Sequence, residues 1–174
     1  MFLVFRLGHR LPRDERISTH VALVARAFGA DGMYYSGQED KGLEESIRKI
    51  CEKWGGKFFA KYEKNPIKFL KNAKKKFTLV HLTMYGMPVQ KKIAEIKKQK
   101  NIMVIVGSEK VPSEIYTIAD YNVAIGSQPH SEVGALAVFL HEYFEGKELE
   151  KNFEGAKIEI EPSERGKRLR NFFA

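Results

Sequence analysis

The chain has one cysteine, Cys51, one tryptophan and six prolines among 174 residues. A lone cysteine excludes an internal disulfide and a cysteine-rich zinc site, and it points to a reducing compartment. No apolar run approaches the roughly 18 residues of a membrane span. The apolar start at residues 2–5 ends at Arg6 with no basic stretch ahead of it, so a secretory signal is not expected. Together these absences give the expectation of a cytoplasmic protein with no membrane partner. No GxGxxG follows an apolar run and no GxxxxGK[ST] occurs, which argues against a dinucleotide-type Rossmann site and a P-loop. The GxSxG elbow of serine hydrolases is missing as well. His9, His20, His81, His130 and His141 show no paired metal-ligand spacing, so no metal is expected.

What is present describes an ordinary globular protein: 43% hydrophobic and 30% charged residues, in a length that suits one domain. The formal net charge of +8 is unevenly placed. Residues 53–76 hold nine lysines and one acid, Glu63. Lys91, Lys92, Lys97, Lys98 and Lys100 make a second cluster, and Arg165, Lys167, Arg168 and Arg170 a third. A localised basic surface fits a polyanion such as RNA. The plainer alternative, for any single lysine, is a solvated helix face.

Short apolar runs alternate with amphipathic stretches. Strands are expected at 2–5, 33–35, 57–62, 77–82, 102–106 and 121–125. Between them, Ser18 or Thr19 suits a helix cap, Asp40 caps a second helix, and Asn65-Pro66 opens a third. Val89, Ile93 and Ile96 share a further helical face, and a helix starting at Ser131 is apolar nearly all round. Continuous apolar strands alternating with helices predict an α/β fold, a mostly parallel sheet covered on both faces. Residues 1–146 form that domain. Residues 147–174 form a short extension with an edge strand, K-I-E-I-E, and a basic tail.

Ligands of open α/β sheets bind at the carboxyl ends of strands. Three loops leave such ends, beginning at Thr83, Gly107 and Gly126, and each carries glycine and proline. Glycine admits close backbone approach and proline pre-orders a loop, which suits an adenine edge and a ribose. After the first strand, Arg6, Arg10, Arg13 and Arg16 make a candidate phosphate-binding loop, since arginine forks match phosphates. Arg26 stands in an otherwise small and apolar helix end. It either satisfies the helix dipole there or has a functional role.

R-L-G-H-R-x-P-R-D-x-R, T-H-V-A-L-V-A-R-A-F-G-A, V-G-S-E-K-V-P and N-V-A-I-G-S-Q-P-H-S-E-V together resemble the archaeal tRNA (cytidine(56)-2′-O)-methyltransferases of the SPOUT class. The resemblance runs from Leu3 to about Phe144. It implies a mostly parallel sheet with a C-terminal trefoil knot, a homodimer, S-adenosyl-L-methionine as methyl donor and tRNA as substrate. Carried over by motif, it implies donor contacts at Leu82, at Gly107, Ser108, Glu109, Lys110 and Val111, and at Ile125, Gly126, Ser127, Gln128, Pro129, His130, Ser131 and Glu132. The spacing of an asparagine six residues before a catalytic arginine falls here on His20 and Arg26, which implies Arg26 as the catalytic residue. The third motif departs from the Ser-Leu-Asn of related ribose methyltransferases, reading His130-Ser131-Glu132. The readings to be separated are methylation of tRNA, methylation of ribosomal or another structured RNA, and RNA binding without turnover.

Overall fold

Six consecutive buried side chains, residues 2–7, begin the strand β1 (Phe2–His9). A strand buried on both faces belongs in the middle of a parallel sheet, and β1 lies there. The computed structural model describes residues 1–107 and 110–172. In chain order β1 is followed by α1 (Glu15–Ala27), β2 (Gly32–Gly37), α2 (Lys41–Trp54), β3 (Ala60–Tyr62), α3 (Pro66–Ala73), β4 (Thr78–Pro88), α4 (Val89–Ile96), β5 (Ile102–Val106), α5 (Ser113–Ile118), β6 (Tyr121–Ala124) and α6 (Glu132–Phe144). A 3₁₀ turn (Lys147–Glu150) and two short strands, β7 (Ile158–Glu161) and β8 (Arg168–Asn171), complete the described chain.

The main sheet has six strands in the order β3-β2-β1-β5-β4-β6, and every pairing in it is parallel. Alternate side chains of its strands feed two cores. Phe2, Val4, Val80, Leu82, Val104 and Val106 pack with residues of α1, α2, α4 and α6. Leu3, Phe5, Leu79, Met103 and Ile105 pack on the other face with Leu70 of α3 and Ile115 and Ile118 of α5. This is the two-face burial expected from continuous apolar strands.

Helix starts follow local chemistry, with one correction. Asp40 caps α2, its Oδ1 accepting from the Leu43 amide at 3.0 Å. Pro66 opens α3, and the Ser131 hydroxyl accepts from the Val133 amide at 3.1 Å to cap α6. The first helix, however, starts at Glu15 rather than at Ser18 or Thr19. Ser18 is buried inside it, because its hydroxyl is held by His9 Nδ1 at 2.7 Å.

Two further differences matter for the site. Residues 83–88, expected as a loop, continue β4: after a register shift beyond Leu82, Met87 and Pro88 pair with Val123 and Ala124 of β6. Gly86 permits this, since a Cβ there would lie 2.5 Å from the backbone of Asn122. The K-I-E-I-E segment is not an edge of the main sheet. It pairs antiparallel with β8, the former basic tail, Ile160 facing Leu169.

Candidate active site

The carboxyl ends of β4, β5 and β6 surround a cleft of about 320 Å³. Leu82, Gly107, Val111, Ile125, Gln128, Pro129, His130, Ser131 and Glu132 line it, so residues of all three expected loops meet in one place. Lys110 is exposed, and neither it nor Gly126 or Ser127 faces the cleft. Ser108 and Glu109 lie outside the described residues.

The floor adds residues that the sequence did not single out as a group. His81 is buried and its Nδ1 lies 2.9 Å from Asn122 Oδ1. Burial pushes its pKa below the ordinary histidine value, which keeps the ring neutral. Its ring meets Tyr116 edge-on at 4.8 Å, and the Tyr116 hydroxyl is 3.1 Å from Thr83 Oγ1. Tyr116 comes from α5, a six-residue helix too short to leave a periodic signal.

His130 closes one side. Its Nε2 lies 2.5 Å from the Ile125 carbonyl and its Nδ1 3.0 Å from that of Ser131. Two carbonyl acceptors are both satisfied only by the doubly protonated ring, and the Ile125 bond first, then Ser131, raises its pKa. A raised folded-state pKa gives order that is complete below the unfolded value and is lost as pH rises through the folded one. Affinity for the methyl donor that the resemblance implies, measured by calorimetry, is therefore expected to weaken as pH rises above the ordinary histidine range, and His130→Gln to flatten that dependence.

The arginines divide. Arg13 and Arg16 are exposed, and Arg10 Nε donates to Asp14 Oδ2 at 2.9 Å. Arg6 is not a surface phosphate clamp. It is wholly buried within β1, and its Nη2 donates to Glu132 Oε1 at 3.3 Å. Desolvation lowers its pKa, against the opposing pull of Glu132.

Arg26 is not brought to the cleft. In a parallel sheet the helix after a strand runs back towards the strands' amino ends, and α1 is about 20 Å long. Its last turn therefore sits at the opposite edge. There Arg26 Nη2 donates to the carbonyls of Trp54 and Gly55 at 3.0 and 2.6 Å, and its guanidinium lies 4.4 Å from the centre of the Phe153 ring. It binds the end of α2 and the start of the C-terminal extension. His20, the other half of that motif, lies in α1 and is exposed.

With this geometry in view, comparison with known proteins decides the family. The sequence pattern of "tRNA ribose 2′-O-methyltransferase, aTrm56" matches residues 54–170. The chain belongs to that family. A tRNA (cytidine(56)-2′-O)-methyltransferase of Pyrococcus horikoshii is 53% identical over 97% of this chain and 84% of its own length. One from Methanocaldococcus jannaschii is 54% identical over 94% and 93%. Among solved structures, a TrmH/SpoU tRNA modifying enzyme of A. aeolicus superposes with a TM-score of 0.61 at 20% identity, covering 86% of this chain and 76% of that one. The SpoU methyltransferase AviRb of Streptomyces viridochromogenes, in complex with AdoMet, superposes at 0.61 and 17%, covering 84% and 57%. The fold of this tRNA ribose 2′-O-methyltransferase family member is thus that of the SPOUT enzymes.

Among the described residues no group of three or more His, Cys, Asp or Glu could hold a metal ion. No described helix is long and apolar enough to cross a membrane.

Proposed function

We propose that this chain transfers a methyl group from S-adenosylmethionine to the ribose 2′-hydroxyl of cytidine 56 in tRNA. The observation that supports it most is the convergence of the three glycine- and proline-bearing segments on one cleft at the strands' carboxyl ends, in a chain about half identical to relatives named for that reaction. The cleft suits the donor: apolar walls from Leu82, Val111, Ile125 and Ala135 stand beside loop backbone and the hydroxyls of Thr83 and Ser131. Gly107 is a close-fitting point, where a Cβ would come within 2.0 Å of Val111 Cγ2. The bound sulfonium supplies an electrophilic methyl; the chain's own residues hold the reactants in line and exclude water, and orientation of this kind supplies a large part of such a rate.

The proposed RNA surface joins the loop after β1 to the lysine-rich stretch of residues 53–76. Arg10, Arg13 and Arg16 follow β1, and the nine lysines between 53 and 76 are all exposed around β3 and α3. β3 and β6 are the two outer strands of the six, about 24 Å apart at ~4.8 Å per strand. A nucleotide in the cleft thus leaves the lysines beside β3 for a distant part of the same RNA, and this spread favours a structured substrate. The homodimer and the trefoil knot belong to the same reading. Val138 of α6 is exposed, and the Cβ direction of Gly134, one turn before it, meets open space. Exposed Met84, Tyr85 and Met87 flank the cleft, so a second subunit would cover apolar surface beside the donor. The reading places the enzyme with its tRNA in the cytoplasm.

The test uses labelled S-adenosylmethionine with two tRNA transcripts, one carrying 2′-deoxycytidine at position 56. Label is expected in the unmodified transcript alone. Equal labelling of both moves the target, and labelling of ribosomal RNA in preference to tRNA moves the substrate class.

A further inference from the structure

Glu132 is the one carboxylate among the described residues lining the cleft. It stands in the first turn of α6, where the helix dipole favours negative charge. Its Oε1 accepts from Arg6, a residue with no solvent exposure whose Nε and Nη1 have no other acceptor. A buried guanidinium with two nitrogens unpartnered among the described residues is costly, and Glu132 is the carboxylate that it hydrogen-bonds. The pair also has a telling position. β1 neighbours β5, with Arg6 opposite Val106. Glu132 therefore occupies the side of the cleft nearest the loop of Arg10, Arg13 and Arg16, the side from which RNA held by that loop approaches the donor.

The other polar groups of the cleft are less suited to receive a proton. Both nitrogens of His130 are committed to carbonyl oxygens. His81 is buried on the floor against Asn122 and Tyr116. Tyr116 and Thr83 are engaged with one another.

We propose that Glu132 takes the proton of the attacking ribose hydroxyl and that Arg6 is the positioning residue for its carboxylate. The proposal rests on the methyl-transfer reading above. The 2′-oxygen forms its bond to the methyl carbon as the carbon–sulfur bond breaks, and the bonding pair stays on sulfur. The oxygen becomes strongly acidic as it alkylates, so even a weak base such as a carboxylate suffices. The proton passes to Glu132 and leaves to water after turnover. The charged and titratable groups facing the pair are His9 on β1, Asp14 and Arg10 after it, and His81 and His130 in the cleft.

The test is single-turnover methylation of tRNA at saturating donor. Glu132→Gln keeps an oxygen for Arg6 and removes the base. Its rate is expected to fall by about 10²- to 10⁴-fold, with the donor dissociation constant unchanged. In the wild type the rate rises along an acid limb and then levels. In Arg6→Gln that limb moves to higher pH because the carboxylate has lost its cation, and Arg6→Lys restores it. A merely structural Arg6 would lower the rate without moving the limb. A Glu132→Gln rate equal to wild type, a loss wholly accounted for by weaker donor binding, or an unmoved limb in folded Arg6→Gln overturns the proposal. Where Arg6→Gln does not fold, the Glu132→Gln rate decides. A wild type that methylates no tRNA refutes the activity itself and takes the proposal with it, whereas an active wild type beside an equally active Glu132→Gln refutes the proposal alone.

Discussion

Arg26→Met is expected to lower stability by about 3 kcal/mol, from the loss of two charge-assisted hydrogen bonds and a ring contact, while leaving methyl transfer intact well below the unfolding midpoint. Arg26 is 7% exposed, and two carbonyls at the end of α2 lose their donor without gaining water. For a chain of this size, that cost lowers the midpoint by roughly 6–12 °C. Thermal unfolding and single-turnover rates on the same preparation separate the two roles. A stable protein with a collapsed rate restores Arg26 to the chemistry, acting from a neighbouring subunit. A destabilised protein with a normal rate makes it the anchor of the C-terminal extension, through Phe153.

The second large effect belongs to Gly37. Its φ of +108° lies where side chains are strained, and a Cβ would stand 2.2 Å from the His9 carbonyl oxygen and 2.7 Å from the His9 nitrogen. Both obstacles are backbone, so β1 and β2 must separate. Gly37→Ala is expected to cost about 4 kcal/mol, strain and overpacking together, measured by denaturant unfolding with an unchanged m-value. The damage also reaches the site's approach. His9 holds Ser18 of α1 at 2.7 Å and lies 3.3 Å from Asp40, the cap of α2. Displacing it therefore disturbs the arginine loop that follows.

Much of the fold could be read from patterns with a single physical cause. β1 and β5 are continuous apolar runs because both faces are covered, and Asp40, Pro66 and Ser131 mark helix starts because orphan amides there need an acceptor or a missing donor. The failures also have causes. β4 overruns its predicted end because a glycine allows backbone to lie against β6, a tertiary contact with no local signature. β8 looked like a charged tail because its pairing with β7 leaves all four of its residues exposed.

The site divides along the same line. The three cleft loops were legible, since glycine and proline punctuate the ends of apolar strands. Arg6 was misread because its composition looked like that of its exposed neighbours. Only the register of β1 against β5, and Glu132 from far along the chain, show that it points inward. Arg26 was read from spacing, and spacing along α1 says nothing about which edge of the sheet the helix has reached.

The cleft takes its lining from residues between His81 and Ala135, whereas the arginine loop and the lysine-rich edge precede them. During synthesis, which proceeds from the amino end, the arginine loop and the lysines of 53–76 proposed for RNA are made before the last cleft segment exists, and the basic stretch at 165–170 after it. A nascent chain stopped before α6 would carry the first two of these basic segments and not the full wall of the cleft. On the proposed reading, part of the surface for recognition is thus older than the chemistry in the life of every copy.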